Sequence, residues 1–145
     1  MKASLLLALL SASASVLAED CQPTPSRTIG THYDISKATF QPGDIGEGLL
    51  FTGRVLSAKD CKPLPNVRVL HWQAGESGRY ENHLYAWRNT DENGAFRFET
   101  EWPALNPPHV HFLVDEVPGH TPLATQWIAR EPTTEVHIDL VLKPE

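Results

Sequence analysis

The chain has 145 residues, 41% of them hydrophobic and 21% charged, and a formal net charge of −6 at pH 7. That length suits one ordinary domain with a core of its own. The acidic balance, with no basic stripe anywhere, excludes a protein that holds nucleic acid by its phosphates.

In chain order, residues 1–18 read MKASLLLALLSASASVLA. One lysine precedes the apolar run from Leu5 to Leu10, and small residues lead to Ala18. This is the layout of a secretory signal peptide, and the run is too short to cross a bilayer. A buried amino-terminal helix is the weaker alternative. Removal of the leader would leave a chain that starts near Glu19, secreted or periplasmic, with no further stretch apolar enough for a membrane. In an oxidising compartment the two cysteines, Cys21 and Cys61, are expected to form a disulfide. A pair of thiolate metal ligands is less favoured, because neither cysteine is near the chain's paired histidines.

Residues 19–48 are rich in Pro, Thr, Ser and Gly, hold no clear period, and read as an extended arm. Past Gly48 the pattern becomes short strands between turns. These fall at 49–57, 67–73, 109–115, 122–129 and 134–142, with a hairpin over 89–100 turning at Asn93-Gly94. The last strand places Val136, Ile138, Leu140 and Leu142 on one face. No segment has a sustained helical period, and the 12 prolines suit edges and loops. The predicted fold is all-β: an antiparallel Greek-key β-sandwich of about seven strands over 49–145, preceded by the arm.

The chemistry concentrates in LNPPHVHFLV, residues 105–114. On a strand, His109 and His111 project to one face and Val110 to the other. Two imidazoles so placed bind one metal ion or form a hydrogen-bonded structural pair, and the spacing alone favours neither. Upstream, Tyr80 closes a Gly-Arg-Tyr turn after the 67–73 strand. A phenolate is a hard anionic ligand, which with imidazole suits a ferric ion, and a trivalent cation supplies the field that deprotonates it.

Five segments in order resemble the intradiol ring-cleavage dioxygenases. They are PTPSRTIGTHY (23–33), FTGRVLSAKDCKPLPNVRVLHWQAGESGRY (51–80), NTDENGAFRFET (89–100), PPHVHFLV (107–114) and PGHTPLATQWIA (118–129). The resemblance implies a non-haem Fe(III) centre with Tyr80, His109 and His111 as protein ligands. It implies a catechol-type aromatic and O2 as substrates, with ring opening between the two hydroxyl-bearing carbons. It gives Gln126 a role in orienting substrate beside the metal, against the alternative of an ordinary strand glutamine facing solvent. A homodimer is expected on the same ground.

Two family positions differ. No tyrosine lies between Trp87 and His109, where the family has its second ligand tyrosine, and Asn106 stands where the family has an arginine. Tyr85 is the first candidate for the missing ligand, with His83, Tyr33 and Glu81 behind it; the alternative for Tyr85 is a packing aromatic beside Trp87. His71 is expected to be buried and hydrogen-bonded, and His32, His120 and His137 to lie in loops or at edges. The leading functional expectation is thus an exported intradiol dioxygenase. The others are a non-catalytic metal- or aromatic-binding module on the same sandwich, and a purely structural domain.

Overall fold

The computed structural model describes residues 21–27 and 35–145. The leader at 1–18 and, in the arm, His32 and Tyr33 lie outside the described residues. Strands form at Gln41–Pro42 (β1), Leu49–Ser57 (β2), Arg68–Trp72 (β3), Tyr85–Asn89 (β4), Ala95–Thr100 (β5), His109–Val114 (β6), Leu123–Ile128 (β7), Glu135–His137 (β8) and Leu140–Leu142 (β9). Among the described residues the helical elements are the 3-10 turns Ile35–Lys37 and Asn82–Leu84, and no helix is long and apolar enough to cross a membrane.

One sheet runs β1-β4-β3-β6-β7; the other runs β5-β2-β8, with β9 also on β2. The all-β expectation is borne out, with pairing that is mixed instead of wholly antiparallel. β1 runs parallel to β4, and β8 and β9 run parallel to β2. The single strand expected over 134–142 is split at Ile138-Asp139, opposite Gly53. A Cβ on Gly53 would lie 1.8 Å from the Ile138 carbonyl oxygen, so the close crossing requires glycine. Asp139 replaces the ladder there: its carboxylate accepts the Arg54 N–H at 2.9 Å and Arg54 Nη2 at 3.1 Å. Val136 and Ile138 still pack on the core that buries Leu140 and Leu142, so the period-two face survives the break.

Strand β4 was not foreseen from alternation, because its first two residues, Tyr85 and Ala86, point to opposite faces and are both buried. The outer face at Tyr85 is covered by Phe40, whose ring meets it edge-on at 5.4 Å. Residues 41–48 already belong to the sandwich: Gln41 and Pro42 pair with β4, and Ile45 is buried.

Between the sheets the aromatic side chains of both layers meet. Phe51 stacks on Phe98 at 5.0 Å and takes Phe112 and Trp127 edge-on at 5.7 and 5.2 Å. Each buried aromatic of this size contributes roughly 1.5–3 kcal/mol. Cys21 and Cys61 form the expected disulfide, with a sequence separation of 40. In the chain-entropy account such a loop stabilises by about 4 kcal/mol. It starts the arm on the sandwich, where Thr24 N–H donates to Val141 O at 3.0 Å and Arg27 N–H to Ala124 O at 2.8 Å.

His71 is buried as expected, and the hydrogen bond expected of it is reduced to a poorly formed contact with the Gly43 backbone. Its ring lies flat on Phe98 at 3.6 Å, and both ring nitrogens lack a well-formed hydrogen bond. Burial pushes its pKa down to about 3, helped by the Arg88 cation and opposed by the Gly43 backbone and Asp44. The unfolded chain therefore takes up a proton near pH 6.5 that the folded chain refuses, so stability falls as pH drops from 6.5 toward 3. Replacing a ring with unpaired buried nitrogens by an apolar one is expected to stabilise by about 1 kcal/mol at pH 7. His71→Phe should therefore melt higher than wild type, by a margin that widens between pH 7 and pH 4.5. A margin that stays constant across that range on thermal melts would show that His71 is not the source of the acid sensitivity.

Candidate metal centre

Strand β6 alternates strictly. Val110, Phe112 and Val114 enter the core, while His109 and His111 leave the opposite face of the sheet. Cross-strand register then sets the neighbours. Tyr85, Trp72, His111 and Gln126 are successive partners across β4, β3, β6 and β7, and Ile128 stands opposite His109. Directly opposed residues share a face, so these side chains lie on the outer side of the five-stranded sheet.

Tyr80 arrives on the loop between β3 and β4. Gly78, at φ +73°, lets that loop turn tightly, with its N–H donating to Gly75 O at 2.8 Å. The loop is tied to the one that precedes His109. Buried Gln73 donates from Nε2 to Glu101 O at 2.8 Å and accepts from the Thr100 hydroxyl, and Ala104 N–H reaches Ala74 O at 3.4 Å. The Asn106–Pro107 peptide that leads into β6 is cis.

Three donor atoms converge. Tyr80 Oη lies 3.1 Å from His109 Nε2 and 3.0 Å from His111 Nε2. Ligands at adjacent corners of an octahedral ion bound at about 2.1 Å stand about 3.0 Å apart, so Tyr80 Oη lies at adjacent-corner distance from each imidazole nitrogen. His109 Nδ1–H donates to Pro107 O at 2.8 Å, which leaves Nε2 bare and aimed at Tyr80. His111 has its pKa pushed down to about 4 by burial and by His109 beside it, so it is a neutral donor at ordinary pH. Burial pushes the Tyr80 phenol up. Its deprotonation therefore needs a cation at the site. Among the described residues no three His, Cys, Asp or Glu side chains converge, so the cluster here is two imidazoles and one phenol.

The structure brings together Tyr80, His109 and His111, with half-buried Gln126 next in the row beside His111. It does not bring in Tyr85. That side chain is on the same face but two strands away, packed on Phe40, with the Trp72 indole between it and His111. Burial pushes its phenol up to about 12. His83 and Glu81 are exposed and lie 3.7 Å from each other. Asn106 is exposed as well. His120 is an anchor: its Nδ1–H donates to Pro118 O at 2.9 Å, and its Nε2 pairs with Ser57 Oγ at 2.8 Å. Sequence reasoning passed over Trp72 and Gln73 as site-building residues. On a strand Trp72 faces away from His71, and its place beside His111 depends on the β3–β6 register.

No family model matches the chain. Catechol 1,2-dioxygenase of Acinetobacter baylyi is 33% identical over 121 residues, covering 61% of this chain and 38% of that protein. The chain thus spans 38% of the length of this curated relative. Among solved structures, the dioxygenase domain of a dioxygenase–carbohydrate-binding protein fusion from Streptomyces sp. SirexAA-E superposes with a TM-score of 0.69 at 24% identity, covering 86% of this chain and 100% of that domain. The 3-chlorocatechol 1,2-dioxygenase of Rhodococcus opacus 1CP gives a TM-score of 0.68 at 20% identity, covering 88% of this chain and 75% of that one. The resemblance to intradiol dioxygenases is borne out, in fold by the structures and in sequence by the curated relative.

Removing one donor from the trio is expected to weaken ferric binding by at least about ten-fold. His111→Ala and His109→Ala should each do so in competition titrations against nitrilotriacetate, whereas Tyr85→Phe should leave the affinity unchanged. Equal affinities in the two histidine variants and wild type would remove the trio from consideration.

Proposed function

We propose that this chain is an exported iron(III) intradiol dioxygenase that opens the ring of a catechol-type aromatic with O2. The observation that carries the reading is the convergence of Tyr80 Oη with His109 Nε2 and His111 Nε2 at 3.1 and 3.0 Å. One hard anionic donor with two neutral nitrogens is a set suited to ferric iron. The curated relative and the shared fold support the same reaction class.

The residues divide the work. His109 and His111 would both bind through Nε2, and that of His109 is left bare because Nδ1–H donates to Pro107 O. Tyr80, as phenolate, contributes the negative charge that favours the ferric state. A ferric ion held by this set supplies the electronic coupling between catechol and O2 that neither possesses alone. Gln126, opposite His111 on the outer face, is placed to hydrogen-bond a ring hydroxyl and fix the orientation of the substrate. In the overall change the carbon–carbon bond between the two hydroxyl-bearing carbons breaks. Each of those carbons gains one oxygen atom, and the product is a ring-opened dicarboxylate. The amino-terminal leader directs the protein to the periplasm or the outside.

A second reading, a metal- or aromatic-binding module without turnover, is favoured by two observations. Asn106 is an exposed amide where the family carries a guanidinium, and Tyr85 is held off the site behind Trp72. The two readings separate in one experiment. Ferric-loaded protein with catechol should consume O2 and form a muconate, seen by its ultraviolet absorbance, and Tyr80→Phe should lower that rate by at least about a hundred-fold. Tight iron and catechol binding with no muconate would establish the module instead.

A further inference from the structure

We infer that Trp72 is a positioning residue for this centre, acting through the ring of His111. The inference rests on the reading of Tyr80, His109 and His111 as a metal site. The two histidines are held by different means. His109 is fixed by its hydrogen bond from Nδ1 to Pro107 O at 2.8 Å. Among the described residues the polar contact of His111 is Nε2 with Tyr80 Oη at 3.0 Å. The torsion that swings an imidazole about its Cβ–Cγ bond is broad and soft, so something else must set the ring plane.

The Trp72 indole supplies that wall. The β3–β6 register puts Trp72 directly opposite His111. The two rings are nearly parallel, at 12°, with centroids 5.1 Å apart. The edge of the His109 ring closes a second side at 4.8 Å and 87°. Trp72 is itself immobilised: it is 0% exposed, and Phe40 meets its ring edge-on at 6.0 Å. A flat, rigid surface parallel to the imidazole permits sliding in the plane but resists rotation out of it. Nε2 is thereby kept on the line toward Tyr80. A site pre-organised in this way binds its ion without first ordering a ligand.

The test uses the full chain with Trp72→Leu and Trp72→Phe. Two measurements are made: ring-proton resonances of His109 and His111 in metal-free protein, and ferric affinity against nitrilotriacetate. The indole should hold the His111 ring protons upfield. Trp72→Leu should move them by much more than those of His109 and lower ferric affinity by about ten-fold or more, and Trp72→Phe should recover most of that loss. His111 resonances that do not move, or equal affinity in Trp72→Leu and wild type, would overturn the inference. If the leucine variant does not fold, the phenylalanine variant decides by itself. Its smaller ring current must reduce the upfield displacement of the His111 protons, and unchanged shifts overturn the contact. Wild-type protein that takes up no ferric iron defeats the metal reading, while the ring shifts still decide whether Trp72 orients His111.

Discussion

Strand β6 has to satisfy two environments at once, and the rest of the molecule is arranged around that requirement. Val110, Phe112 and Val114 are driven into the sandwich by burial of apolar surface, and the pleat then obliges His109 and His111 to leave the other face. A slip of one residue would bury both imidazoles among phenylalanines and expose the core set, so the hydrophobic core itself locks the register that presents the donors. The same register aligns Trp72 and Gln126 on either side of His111.

A strand can present two imidazoles but cannot bring the phenol. Tyr80 is on a loop 29 residues from His109 in sequence, and it meets the histidines because Gln73 and Thr100 tie the two approaching segments together. That knot is buried: from the end of β3 the Gln73 amide both donates to and accepts from the other segment, at Glu101 O and the Thr100 hydroxyl. Buried polar groups are costly unless paired, so a satisfied pair here also rules out looser arrangements of the two loops. The two imidazoles and the phenol are thus held together by a β-register on one side and by a buried hydrogen-bond network on the other.

The interior is not uniformly satisfied. His71 sits flat on Phe98, and its ring nitrogens lack well-formed partners although Trp72, its neighbour in the chain, is in the wall beside His111. Adjacent positions on β3 therefore serve opposite faces, one at a cost in stability and one in the service of the site. Near the far end of the sheet, Asp44 couples the sheets in a better-satisfied way. Burial works against its charge, but the Glu99 N–H at 2.8 Å and Arg88 at 2.9 Å hold its carboxyl below the usual range.

Much of this was legible in the residues themselves. Short β-rich runs between turns mark β2, β3, β6 and β7, and the pleat gives the direction of His109 and His111, because side-chain direction along a strand is a local property. The Asn93-Gly94 turn and the phenylalanines after it mark β5 for the same reason, and the order of the motifs carried the family resemblance. Other features have no local signature. The parallel addition of β8 and β9 to β2, and the break between them, follow from a close backbone approach at Gly53 that the strand pattern does not reveal. Tyr85 was the natural substitute for an absent ligand because it follows Tyr80 by only five positions. Its distance from the histidines is set by strand order, with β3 and its Trp72 standing between β4 and β6. The sequence by itself determined which residues share a face, since that depends only on the pleat. Which faces meet, and which donors come within 3.1 Å, was decided by the tertiary structure, because those distances depend on pairing between segments far apart in the chain.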